Sequence, residues 1–370
     1  MFILFIFHIC HIYSQIITLN IKGYTFDIPE LEISFPNEKL SDSYYLNTYL
    51  SHSIFTISEF KLISRNIKQR YIALKLDETY HSSLYTSDIM INNILIPNIS
   101  MYSTQSLGWF RDKGIALGYH YQDETFSIIH QLYKHKHIAH LQFAFHNIIY
   151  QLKGNFFIGG IPNDDHLNYH YKAEIKINEA LPTWGFKLSG VKYNNNEYEL
   201  NTHCIISTGM LNMINSDVLF ETMVGNIINT SSCQLKYNRM TSYSQRLLQC
   251  GRLNNSDEII ELILNDKVQI QMKVGDFFSQ SYDSLFASNS ALRPIHNFSE
   301  CIIGPGFINK FNYSIFDYEK KQIELYSDSY IITTKKVSSS YYLFIIIYIN
   351  IILCLGNILL IILYKLIIKT

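Results

Sequence analysis

The sequence predicts an all-β body of two similar lobes with a few short helices, followed by one C-terminal transmembrane helix. Three observations carry this. Short β-type runs alternate with turn residues from about residue 16 to 330, a unit found around residues 46 to 119 recurs around 205 to 307, and an uncharged apolar run occupies 343–364.

The runs are ITLNI, IALKL, IMINNILI, IAHLQFAF, NFFIGGI, AEIKI, GFKLSGV, VQIQMKV, NYSIFDY and QIELYS. Their regular spacing fits a β body. Two stretches have helical period instead. Phe220, Met223, Val224, Ile227 and Ile228 follow the N-cap candidate Ser216, and Ser127 to Tyr133 carries a weaker version. Each copy of the repeated unit has a turn centred on Thr, a later strand of two apolar residues and a Gly, and closing strands. Such a duplication predicts two lobes facing one another.

The ends point to the secretory route. MFILFIFHICHIYS is apolar, lacks an acidic group and is short for a membrane span, so residues 1–14 read as a signal peptide, with a buried first strand or helix as the alternative. Leu343 to Tyr364 has the length to cross a bilayer as a helix, and Lys365 and Lys369 place the tail 365–370 in the cytoplasm. The expectation is a single-pass type I membrane protein with the bulk of the chain extracellular or lumenal. A lipid-anchor signal competes, since Ser338 to Ser340 are small, but the tail is long and ends in lysines. Residues 333–342 read as a polar stalk.

Roughly 325 residues lie between the ends, enough for two cores. They divide into an N-terminal lobe at 15–165 and a C-terminal lobe at 166–332. A formal charge of −1 without a basic block argues against nucleic acid as a partner. Cys204, Cys233, Cys250 and Cys301 lie outside the apolar ends and predict two disulfides in an oxidising compartment, with three pairings open. N-x-[ST] triplets begin at Asn98, Asn229, Asn254, Asn297 and Asn312, the last within an apparent strand, and mark glycosylation candidates. His135, His137 and His140 have a spacing that suits zinc or copper, but an exposed helix-to-strand connection accounts for them, and no metal or cofactor is predicted.

Several motifs stand in a fixed order. The closing one is Ile302-Ile303-Gly304-Pro305-Gly306-Phe307, then Phe311, then Ser314-Ile315-Phe316-Asp317-Tyr318-Glu319 and Gln322-Ile323. Upstream stand Asp112 to Tyr119 (DKGIALGY), Gly154 to Pro162 (GNFFIGGIP), and Trp184 with Leu188-Ser189-Gly190-Val191. This series resembles the pepsin-like aspartic proteases, peptidase family A1, across nearly the whole region between the apolar ends. The resemblance implies a bilobal acid-protease fold and, in an active member, two Asp-Thr-Gly turns whose carboxylates share one proton, one acting as general base on water while the other donates to the scissile carbonyl.

The matching turn of the second lobe is Ile205-Ile206-Ser207-Thr208-Gly209, with Ser207 at the aspartate position. Two alignments fit the first lobe. One takes Tyr45 to Ser51, with Asn47 at the aspartate and Thr48 after it. The other takes Leu76-Asp77-Glu78-Thr79, which keeps an acid but leaves no room for a flap hairpin before Asp88. The first is preferred, because Ile72 to Ile96 then matches the flap hairpin, with Leu76 at the flap tyrosine and Asp77 and Thr79 in place of glycines.

On that reading both acids are replaced by groups that cannot exchange a proton near neutral pH. The predicted function is a non-catalytic homologue that binds peptide or protein in the interlobe cleft. The alternatives are an active aspartic endopeptidase using Asp77 and a structural surface glycoprotein.

Overall fold

The computed structural model describes residues 16–21, 23–25, 28–36, 40–48, 53–56, 68–72, 80–91, 94–104, 114–118, 127–148, 153–179, 183–208, 214–216, 232–240, 243–252, 257–274, 284–289, 301–328 and 332–334. These residues are mostly strand, with short helices at Ile128–Lys134 and Pro305–Ile308 and a 3-10 segment at Pro162–Asn168. The described strands form four sheets: the three that follow and a three-stranded one of Ser232–Met240, Tyr243–Arg252 and Ser284–Asn289.

The sheet of the first half runs in the order Gly23–Thr25, Ile28–Phe35, Leu40–Asn47, Gly114–Ala116, Ile54–Thr56, Ile94–Thr104, Tyr80–Ile91, Lys68–Ile72. The sheet of the second half includes Ile214–Ser216, Cys301–Ile303, Asn196–Ile206, Gly185–Tyr193, Ile259–Leu264 and Val268–Lys273 in that order. Between them in composition stands a six-stranded sheet: Ile17–Asn20, Lys153–Ile158, Gln142–Ile148, Tyr313–Asp317, Gln322–Ser327, Tyr171–Lys176. It takes strands from both predicted lobes. The closing motif, assigned by sequence to the second lobe, pairs with the first through Ala144 opposite Ile315.

Period-two patterning explains which face each strand buries. In Tyr171–Lys176, Ala173 and Ile175 point inward while Lys172 and Glu174 point out and pair at 2.8 Å. On the six-stranded sheet, Phe143, Phe145, Phe156 and Phe316 fill the inner face and join one core cluster with Trp184. Phe143 stacks on Phe316 at 4.7 Å, and Trp184 meets Phe316 edge-on at 5.1 Å, a packing preferred by aromatic quadrupoles. Turn chemistry fits as well. Asn194 and Asn195, at φ 50° and 62°, make the two-residue link between Gly185–Tyr193 and Asn196–Ile206, a conformation Asn tolerates better than most side chains.

Gly190 sits at a register shift in the Gly185–Tyr193 strand, and a Cβ added there would lie 2.8 Å from the Tyr198 carbonyl oxygen. That neighbour is backbone and cannot swing away. Gly190→Ala should therefore cost about 1–3 kcal/mol, read as a lowered denaturation midpoint; an unchanged midpoint would contradict this packing.

Some expectations shift. The weak helix predicted at Ser127 to Tyr133 forms at Ile128–Lys134, with Ile128, Ile129 and Leu132 buried. The strand predicted from Ile138 begins at Gln142, because Lys136 turns the chain at φ 62° and Ile138 plugs the core before the strand starts. Ser216, the N-cap candidate, lies in the strand Ile214–Ser216, and the helix predicted after it falls outside the described residues. Asn312 lies one residue ahead of the strand Tyr313–Asp317, with its side chain accepting from the Asp328 amide at 3.2 Å. Among the described residues no helix is long and apolar enough to cross a membrane. The predicted leader at 1–14, the span at 343–364 and the tail at 365–370 lie outside those residues.

Candidate functional site: two crossed turns

The strand Leu40–Asn47 runs parallel to Gly114–Ala116, with Leu46 opposite Ile115 and Asn47 opposite Ala116. The pairing continues one step when the Leu117 amide donates to the Asn47 carbonyl at 2.9 Å. Ser53 supports it from the side, its hydroxyl accepting from the Ala116 amide at 3.0 Å.

The second half repeats the design. The end of Asn196–Ile206 runs parallel to Cys301–Ile303, with Ile205 opposite Ile302, and the Ser207 amide donates to the Ile303 carbonyl at 2.8 Å. At the first rung of this pair Cys204 and Cys301 form a disulfide, their Cα atoms 4.4 Å apart and 97 residues apart in sequence. Of the three pairings open to the sequence, this bond fixes one member. Cys233 and Cys250 are opposite each other in the backbone register of Ser232–Met240 and Tyr243–Arg252.

The two turns cross at Thr48 and Thr208, both fully buried. The Thr48 amide donates to Thr208 Oγ1 at 3.0 Å and the Thr208 amide to Thr48 Oγ1 at 3.1 Å. Each hydroxyl then donates onward across the pair, Thr48 Oγ1 to the Ile206 carbonyl at 2.9 Å and Thr208 Oγ1 to the Leu46 carbonyl. This near-symmetric set satisfies two amides and two carbonyls that would otherwise be buried without partners.

An outer ring fixes the crossing. Thr183 Oγ1 donates to the Thr48 carbonyl at 2.8 Å, and the Ile206 amide donates to the Trp184 carbonyl at 2.8 Å. The Leu117 carbonyl accepts both the Trp184 indole N–H at 2.7 Å and the Tyr318 hydroxyl at 2.8 Å. Burial raises the Tyr318 phenol far above its ordinary range, so it stays a neutral donor.

Asn47 and Ser207 therefore each stand one residue ahead of a crossed threonine. Asn47 is half-buried and Ser207 is 2% exposed. A carboxamide and a hydroxyl supply donors and acceptors here, but neither titrates in the range where a carboxylate would.

The other predicted site residues fall elsewhere. Gly209, Leu76 and Asp77 lie outside the described residues, the last two between the antiparallel strands Lys68–Ile72 and Tyr80–Ile91. Asn98 is in the strand Ile94–Thr104, and Asn229, Asn254 and Asn297 lie outside the described residues. His135 and His140 are exposed, and no group of three His, Cys, Asp or Glu among the described residues could hold a metal ion. Sequence reasoning missed Ser53 and Thr183, and it named Tyr318 as part of the closing motif without its place at the crossing. Only Thr183, next to the motif residue Trp184, gave a local hint.

No family model matches the sequence, and no curated protein matches it. Among solved structures, the chain is similar to the aspartic proteinase from Irpex lacteus, with a TM-score of 0.63 and 12% identity over 85% of this chain and 98% of that one. The likeness extends over both halves and the sheet they share, and this chain has the bilobal fold of a pepsin-like aspartic proteinase.

Proposed function

We propose that this chain is a membrane-anchored, pepsin-like aspartic protease homologue without catalytic activity, which binds peptide or protein in the cleft between its halves. One observation carries the reading: the residues just ahead of the crossed threonines are Asn47 and Ser207, while the threonine frame around them is intact. In an active member those positions hold the two acids that share a proton. An Asn–Ser pair keeps polar bonding but supplies neither base nor acid. Loss of one such group typically slows a reaction by about 10²–10⁴-fold, and both are replaced.

An extended groove can hold a strand by backbone hydrogen bonds without hydrolysing it, which favours extended peptides as ligands. The anchoring and the lumenal or extracellular location rest on the charge-free run at 343–364 with lysines after it.

The full-length chain, incubated with unfolded protein at pH 3 to 5, should release no fragments above background with or without a transition-state peptide inhibitor. Inhibitor-sensitive cleavage would favour an active enzyme using Asp77. Saturable binding of an extended peptide is expected from the same preparation. Its absence across a peptide library would favour a structural coat protein.

A further inference from the structure

The outer face of the six-stranded sheet carries a row of rings separate from the main core: Phe157, Tyr313 and Tyr326 with Ala144, Ile161 and Ile315. Two histidines are built into it. His146 stacks on Tyr313 at 4.3 Å with the ring planes 3° apart, and Phe157 lies 6.3 Å from His146 and 6.2 Å from Tyr313. His166 meets Tyr326 edge-on at 5.0 Å and Tyr313 at 6.3 Å. The Nδ1 atoms of both imidazoles are buried and have no hydrogen-bond partner.

His166 belongs to the connection Pro162–Asn168, which links the strand Lys153–Ile158 to Tyr171–Lys176. No residue of this connection is itself buried, and Asn163 and Asp164 adopt left-handed backbone at φ 54° and 52°. Its hold on the sheet runs through the His166 ring and the neighbouring Tyr169, whose ring meets Tyr313 at 5.6 Å. An element with little buried surface and two residues in a sparsely populated backbone region opens at low free-energy cost.

We propose that His146 and His166, on either side of Tyr313, form an acid-released latch that holds the Pro162–Asn168 connection against the shared sheet at neutral pH. Protonation puts a charge on rings whose surroundings are aromatic and whose Nδ1 atoms have nothing to donate to.

Burial decides the sign, against the carboxylates that face each ring. Burial, the largest influence, lowers His146, and Asp165 pulls it back up. Burial also lowers His166, with Asp164 and Glu324 raising it and Lys172 and Lys320 lowering it. Both therefore titrate below the ordinary histidine value of about 6.5. The stability they contribute is full above that value and is lost as pH falls from it toward their lowered values.

The rest of the cluster does not titrate in that window. Burial raises the Glu324 carboxyl, but bonds from Tyr326 and Gln322 and the charge of Lys172 outweigh it, so it stays ionised. Burial pushes Tyr313 up to about 12 and also raises Tyr169 and Tyr326. Lys172 is half-exposed, pairing with Glu324 at 3.2 Å and Glu174 at 2.8 Å. At the far end of the connection the Asp328 carboxylate accepts from the His170 amide at 3.0 Å and meets the exposed His170 ring at 2.8 Å, and the amide bond holds the carboxyl below its ordinary range. Opening should therefore stop short of residue 170.

Hydrogen exchange of the full-length chain in detergent micelles tests this, at pH 7.5 and 5.0 with labelling times matched for intrinsic rates. Peptides covering 162–169 should exchange roughly tenfold faster at pH 5.0, those covering Phe143 to Phe145 should not change, and a His146→Phe/His166→Phe variant should lose the difference. Equal protection of the wild-type connection at both pH values would overturn the latch, as would the same acceleration in the double variant. Should the double variant fail to fold, each single Phe variant is expected to show a reduced acceleration, and an undiminished one in both overturns the proposal.

Discussion

Replacing Cys204 and Cys301 together by Ala should lower the unfolding free energy by about 4–5 kcal/mol, the loop-entropy value for a cross-link closing roughly 100 residues. The two sulfurs join adjacent parallel strands three residues ahead of Ser207 and Gly304, so the loss should be local as well as global. Denaturant titration reads the first effect, and faster amide exchange at Ile205 and Ile303 reads the second. With Cys204 fully buried and Cys301 3% exposed, reductant alone should leave the folded chain intact. A change below about 1 kcal/mol would mean that the strand pairing holds the turn without the bond.

Thr48→Val and Thr208→Val should each cost about 2–4 kcal/mol, because each leaves one buried amide and one buried carbonyl without its partner while keeping the side-chain shape. The two substitutions strand different groups. Thr48→Val affects the Ile206 carbonyl and the Thr208 amide, whereas Thr208→Val affects the Leu46 carbonyl and the Thr48 amide. The costs should therefore be similar, and because the two side chains belong to one hydrogen-bond network the double variant should depart from their sum by about 0.5–3 kcal/mol. A large cost at one threonine and none at the other would break the symmetry on which the crossing depends.

Much of the fold was legible because it is written locally. Alternation marked Tyr171–Lys176 and Val268–Lys273. The motif residues Trp184, Phe316 and Tyr318 were visible, but not that the Trp184 indole and the Tyr318 hydroxyl share one acceptor at Leu117. Such meetings join residues 67 and 201 positions apart, and no local pattern encodes them. The disulfide shows the same limit. Four cysteines permit three pairings, and the parallel register of Cys204 with Cys301 is what brings these two together. His146 was readable as an outward-facing strand residue. That the ring of His166, twenty residues later, would meet the same Tyr313 was not.

The placement of Tyr313–Asp317 between Gln142–Ile148 and Gln322–Ser327 has a consequence for the order of events during synthesis. Ala144 waits for Ile315, about 170 residues later in the chain. At a translation rate of about 5–20 residues per second, the first half leaves the ribosome roughly 10–30 s before the strand that completes its sheet. For that interval the open edge of Gln142–Ile148 and the phenylalanines behind it are available to other chains, so chaperone engagement during synthesis should concentrate on this edge.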